Sequence, residues 1–168
     1  MAKTITLNGS KLALIGNELK VGDKAPEFTA TSQDMKDVKL ADFKGKIKVI
    51  SSFPSLDTPV CDLQVKEFNS RSANFSSDIA VIGISKDLPF AQKRFCSEHD
   101  IKNTIVSDYK TSSFGMNYGL LIDELKLLAR AVLIIDKNDI LRYIQVVPEL
   151  ATAPDYDAAL KALSILAK

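Results

Sequence analysis

Apolar residues follow two rhythms along this chain. Residues 47–53 (Ile-Lys-Val-Ile-Ser-Ser-Phe) and 78–85 (Asp-Ile-Ala-Val-Ile-Gly-Ile-Ser) are short, β-branched runs of strand length. Residues 104–107, 131–135 and 140–147 have the same character, and the last two are joined by the polar turn Asp136-Lys-Asn-Asp139. Between strands the spacing widens to three and four. Cys61, Val65 and Phe68 share one face of a helix predicted from about Thr58 to Ala73. Leu88, Ala91 and Phe95 share a face of a second helix, predicted to start near Asp87, take Pro89 into its first turn and end near Ser97. A short helix is expected over 113–118, and a closing amphipathic helix over 155–167. At the other end, Asn8-Gly9 sits between apolar runs and predicts a β-hairpin turn. Residues 28–31 and 38–40 read as short edge strands around a loop.

Alternating strands and helices followed by a hairpin predict an α/β fold, with a mixed central sheet flanked by helices on both faces. The 168 residues suit a single domain spanning 1–168, long enough for a sizeable core.

Composition narrows the function by exclusion. Hydrophobic content of 46% and charged content of 26% are ordinary for a globular chain. A net charge of +1 gives no electrostatic case for binding nucleic acid or an anionic membrane, and the lysines and arginines read as solvated surface. No run approaches a membrane span and the first residues carry no apolar leader, so a cytoplasmic location is expected.

The two cysteines, Cys61 and Cys96, lie too far apart in sequence for a Cys-x-x-Cys motif. In a reducing compartment such a pair is more readily catalytic than structural. The single histidine, His99, follows Cys96 by three residues, a spacing that permits a ligand pair. It reads better as an exposed residue near a helix end. No metal or cofactor is expected.

Cys61 falls where a strand hands over to a helix. Thr58 is a good N-cap and Pro59 suits the first helical position, which makes Cys61 the third helical residue. The Thr58 hydroxyl is expected to bond the N–H of the second or third helical residue, beside Cys61. A helix N-terminus favours the thiolate, the reactive form of cysteine. The alternative stands beside it: free cysteine also behaves as a small core hydrophobe, and Cys61 shares its face with Val65 and Phe68.

Pro54-x-x-x-Thr58-x-x-Cys61 resembles the active-site signature of peroxiredoxins, and more closely that of the bacterial thiol peroxidase group, which are atypical 2-Cys peroxiredoxins. The similarity continues through Ile82-Gly-Ile-Ser-Lys-Asp-Leu-Pro-Phe-Ala-Gln-Lys-Arg-Phe-Cys96, Ala129-Arg-Ala-Val-Leu-Ile-Ile-Asp136 and Pro154-Asp-Tyr-Asp-Ala-Ala159. Together these strings cover nearly the whole chain in order. The resemblance implies a thioredoxin-like fold with an added N-terminal hairpin, matching the predicted element order.

It also implies roles. Cys61 would be the peroxidatic nucleophile and Cys96 the resolving cysteine of an intrachain disulfide. Arg130 would face the reacting sulfur, Thr58 would hydrogen-bond sulfur or peroxide, and Pro54 would shield the sulfur from water. Without the resemblance, Arg130 reads as a strand-end side chain reaching for solvent, and Cys96 as a helix cysteine of no evident purpose. Hydrogen peroxide and organic hydroperoxides are the implied substrates, thioredoxin the implied reductant, and a homodimer the implied assembly. Two rival readings stay open: a thiol–disulfide carrier on the same fold, and a non-enzymatic module with a buried cysteine pair.

Overall fold

The computed structural model describes residues 3–167. Strands β1 (Lys3–Leu7) and β2 (Ser10–Ile15) form the expected hairpin, closing between Leu7 and Ser10. Asn8 and Gly9 both take positive φ, 51° and 88°, the two-residue turn whose twist matches its flanking strands. The hairpin does not join the central sheet. It pairs with β8 (Leu121–Ile122), a two-residue strand too short to show any sequence period, in a separate three-stranded sheet.

The central sheet has seven strands in the order β10-β9-β5-β6-β7-β3-β4. Inside it, β5 (Ile47–Ser52) runs parallel to β6 (Ile79–Ser85) and antiparallel to β9 (Ala131–Ile135). β7 (Thr104–Ser107) runs parallel to β6, and β10 (Leu141–Val146) closes one edge against β9. β3 (Thr29–Thr31) and β4 (Asp37–Lys39) form the other edge, as the two short runs predict.

The period of two divides the strands between two apolar layers. Ile47, Val49, Val81, Val132 and Ile134 face Phe68 of α1 (Pro59–Ser72) and Ala159 and Leu163 of α4 (Tyr156–Leu166). Ile50, Ile82, Ile84, Leu133 and Ile135 pack on the other side, in a cluster with the hairpin and Phe114 of α3 (Ser113–Asn117). Asp155 caps α4 by accepting the Ala158 N–H at 3.0 Å. No helix among the described residues is long and apolar enough to cross a membrane.

Two expectations need correcting. The second helix, α2 (Pro89–His99), has Leu88 rather than Asp87 at its N-cap and runs two residues past Ser97. Its buried residues are Pro89, Gln92, Phe95 and Cys96, while Leu88 is 51% exposed. Gln92 is held inward by Nε2 donating to Ser85 Oγ at 3.1 Å and Val106 O at 2.8 Å, which shifts the inward stripe by one residue. The basic residues are also not all solvated surface. Lys48 is fully buried on β5, where Nζ pairs with the Asp139 carboxylate and donates to the Asp136 carbonyl at 3.2 Å. Both charge and donors are thereby partnered.

Candidate active site

Phe53 and Pro54 lead out of β5 into the turn that opens α1, and both are buried. Thr58 is the N-cap in extended conformation, Pro59 takes the first helical position and Cys61 the third, as expected. The Thr58 hydroxyl departs from expectation. It donates to the Ser55 carbonyl at 2.9 Å and makes no cap bond. The Thr58 amide also reaches Ser55 O, at 3.2 Å, so a tight turn draws the side chain back from the helix. With its one proton committed to Ser55, the hydroxyl keeps lone pairs free to accept.

Cys61 is wholly buried, and Cys96 is 9% exposed in the last turn of α2. Both are free thiols. They belong to one apolar cluster with Phe53, Leu56, Val65, Phe95 and Ile105. Burial pushes the Cys96 thiol up, and the Gln33 side-chain amide, whose Nε2 lies 3.4 Å from Sγ, opposes that rise. His99 is exposed near the end of α2, its ring 4.5 Å from that of Phe95.

Arg130 does not snorkel. It is 2% exposed, immediately before β9. Nε donates to the Leu150 carbonyl at 3.0 Å and NH1 to Gln64 Oε1 at 2.9 Å. Both partners are neutral, and among the described residues Arg130 forms no ion pair. Burying a cation without a counter-charge is expensive, and its two neutral acceptors offset only part of that cost.

Pro54, Thr58, Val60 and Arg130 meet at one cleft of about 230 Å³ over the start of α1. Leu7 of the hairpin, Leu125, Leu127 and Leu150 complete a wall that is almost wholly apolar. Three of the five residues singled out in the sequence thus share one cleft, at the mouth of the helix that carries the fourth. Cys96, on α2, does not line that cleft and shares the apolar cluster with Cys61.

Gln64 escaped the sequence reading. It is fully buried on α1, one turn from Cys61, with Nε2 donating to Ser51 Oγ at 2.6 Å and Ser52 O at 3.1 Å while Oε1 receives Arg130. The available signal was its place three residues after Cys61, on the face shared with Val65 and Phe68. Gln33 gave no such signal, since only the fold carries its loop to Cys96.

The redoxin family model matches residues 20–160. The chain belongs to the redoxin family. It is 47% identical over 160 residues to a thiol peroxidase of Halalkalibacterium halodurans, covering 95% of this chain and 96% of that one. A thiol peroxidase of Oceanobacillus iheyensis is 43% identical over 161 residues, covering 95% and 98%. A peroxiredoxin-like protein from Aquifex aeolicus superposes with a TM-score of 0.92 at 41% identity, covering 99% of this chain and 98% of the other. A thiol peroxidase from Chromobacterium violaceum shares the fold, with a TM-score of 0.87 at 23% identity over 96% and 95%. Within the redoxin family this enzyme is a peroxiredoxin of the thiol peroxidase group, on a thioredoxin-like fold with an added N-terminal hairpin.

Proposed function

We propose that this peroxiredoxin reduces hydrogen peroxide and organic hydroperoxides at Cys61 and resolves the product through Cys96. The observation that carries this reading is the buried, unneutralised guanidinium of Arg130 in the cleft over the Cys61 helix. Peroxide reduction needs a sulfur nucleophile and a place for negative charge on the departing oxygen. An inert core cysteine needs no fixed cation at a cleft over the start of its helix.

The Cys61 thiolate attacks one peroxide oxygen. The S–O bond forms as the O–O bond breaks, sulfur loses two electrons, and the other oxygen leaves as hydroxide or alkoxide. Arg130 stabilises the charge that builds there, while Thr58, with lone pairs free, accepts the peroxide O–H. Protonation of the leaving oxygen gives water or alcohol and leaves Cys61–SOH. The Cys96 sulfur then attacks that sulfenic sulfur, forming a disulfide and releasing water. A dithiol, thioredoxin by resemblance, restores both thiols and is itself oxidised to a disulfide. Pro54 closes the cleft floor and limits water at the sulfur.

The apolar lining supports organic hydroperoxides as good substrates, since an alkyl tail would lie against Leu7, Leu125 and Leu127. A cytosolic setting suits both the free thiols and the dithiol reductant. The resemblance also supports a homodimer, which sedimentation of the reduced protein would measure.

Rapid mixing of the reduced protein with hydrogen peroxide and with an alkyl hydroperoxide tests the reading. The expected result is loss of two thiols per peroxide consumed, with the disulfide located by mass between Cys61 and Cys96. Thiols that survive stoichiometric peroxide would overturn it.

A further inference from the structure

The segment before Cys61 is tied to the helix of Cys96 by one carboxylate. Asp87 lies just ahead of α2. Its Oδ1 accepts the Ser55 hydroxyl at 2.8 Å, and its Oδ2 accepts the Leu56 N–H at 2.9 Å and the Ser85 hydroxyl at 2.7 Å. The Ser85 oxygen in turn receives Gln92 Nε2 at 3.1 Å, one turn before Cys96. On the other side, Ser55 Oγ accepts the Asp57 N–H at 3.1 Å, and Ser55 O holds both the amide and the hydroxyl of Thr58. A continuous polar chain therefore runs from Gln92 through Ser85, Asp87 and Ser55 to the N-cap of the Cys61 helix.

We infer that Asp87 is a positioning residue that holds the start of α1 in its peroxide-reactive form and must release Ser55 and Leu56 before Cys61 can bond to Cys96. The inference rests on the two-cysteine reading above. Its physical basis is the composition of the apolar cluster that holds both sulfurs and Leu56. Cys61 and Cys96 are free thiols in that cluster, packed among the bulky side chains of Leu56, Val65, Phe95 and Ile105. A disulfide requires Cα atoms about 4.4–6.8 Å apart with Cβ vectors turned toward each other. Leu56 is both a member of that cluster and the residue whose amide Asp87 grips. Moving Cys61 out of its pocket displaces the turn that Leu56 belongs to.

The carboxylate is well placed to regulate that movement. Three charge-assisted bonds converge on it, and bonds to an ionised acceptor are stronger than neutral ones. A polar cleft of about 280 Å³ opens beside it, lined by Leu56, Asp57, Asp62, Asp87 and Arg94 among others, and gives the displaced turn somewhere to go. Asp87 thus acts oppositely on the two chemical steps. It favours peroxide attack by keeping Thr58 and Cys61 in register with Arg130, and it slows resolution by holding the turn shut. Slow resolution in turn exposes Cys61–SOH to a second peroxide, which transfers one oxygen to give Cys61–SO₂H and leaves as water or alcohol.

The test is rapid mixing of the reduced, full-length protein with excess hydrogen peroxide, following sulfenic acid formation and disulfide formation as separate phases. Asp87→Asn keeps the shape and removes the charge. The expected result is a first phase slowed about tenfold, a second phase accelerated by a similar factor, and less Cys61–SO₂H by mass. Ser55→Ala removes one of the three bonds and should move both phases the same way by less, and it carries the test if Asp87→Asn does not fold. Both phases slowed together would overturn the inference, and unchanged urea unfolding of Ser55→Ala separates release of the turn from general destabilisation. The same experiment on Cys96→Ser separates the two levels of argument. A second phase that proceeds in Cys96→Ser at the unsubstituted rate without forming Cys61–SO₂H, read by mass, overturns the two-cysteine reading and the role of Asp87 with it. A second phase that needs Cys96 but is unmoved by either substitution overturns the role of Asp87 alone.

Discussion

The guanidinium of Arg130 donates to the side-chain oxygen of Gln64 at 2.9 Å, and Gln64 stands one helical turn from Cys61. Through it the helix that carries Cys61 also orients the Arg130 guanidinium. The same amide donates to Ser51 Oγ and Ser52 O, so its orientation is fixed by the central strand β5. Gln64→Leu would leave a buried Arg130 N–H without an acceptor and two β5 oxygens without a donor. Stability should fall by about 2 kcal/mol, read from urea unfolding, and the peroxide step should slow. Gln64→Glu restores an acceptor for Arg130 and should recover more of the peroxide rate than of the stability.

The two cysteines should fail in different ways. Cys61→Ser removes the nucleophile and should abolish peroxide reduction. Cys96→Ser should consume about one peroxide per chain and then stall as the sulfenic acid, trapped and weighed by mass spectrometry. Equal loss in the first turnover would contradict the assignment of roles.

Gln33 should tune only the second step. Burial raises the Cys96 thiol, and the Gln33 N–H, 3.4 Å from Sγ, stabilises its thiolate. Gln33→Leu should raise the Cys96 pKa further. Disulfide formation uses the thiolate, so its rate climbs as pH rises through that pKa, and the whole profile should move to higher pH. The peroxide phase should keep its rate and its pH profile. A shift in both phases would place Gln33 in the scaffold instead.

What could be read from the sequence was what is local. The positions of Thr58, Pro59 and Cys61 on α1 follow from capping rules, and the Asn8-Gly9 turn follows from backbone conformation. The strand runs announced themselves because both faces of the central sheet are covered. What sequence could not show was set by partners distant in the chain. Lys48 reads as a surface lysine until the turn carrying Asp139 folds over it. The Thr58 hydroxyl obeys Ser55, not the cap rule, because the turn is tighter than a generic helix start. Gln64 and Gln33 are ordinary surface types that only the fold places against Arg130 and Cys96.

The cleft wall should set preference among peroxides. Leu127 lines the cleft together with Val60 and Arg130, in a wall with scarcely any polar surface. Leu127→Ser makes that wall polar without touching Cys61, Thr58 or Arg130. The KM for a long-chain alkyl hydroperoxide should rise several-fold, as loss of one apolar contact predicts, while the rate with hydrogen peroxide should change little. Equal effects on both substrates would show that the cleft does not hold the alkyl tail.

Acid should loosen the hairpin before it unfolds the sheet. Glu149 sits in the loop after β10 and fastens that loop to β1 and the hairpin turn. Its carboxylate accepts the Ala151 N–H at 2.8 Å, the Gly9 N–H at 3.2 Å and the Thr6 hydroxyl at 3.2 Å. These bonds, the Ala151 amide first, hold the carboxyl below its ordinary value. The sign follows from that depression. The folded form binds its proton less readily than the unfolded form, so the stabilisation is fully present above the ordinary glutamate range and is lost as pH falls through the depressed value. The neighbouring Leu150 carbonyl receives Arg130 Nε, and Leu7 and Leu150 both line the cleft, so the loosened loop is also a wall of the site. Hydrogen exchange at a series of acidic pH values should show amides at positions 5–14 losing protection while those at 131–135 keep theirs. Glu149→Gln, which cannot ionise, should remove the pH dependence of hairpin protection. A hairpin that opens only together with β9 would assign the effect to global acid unfolding.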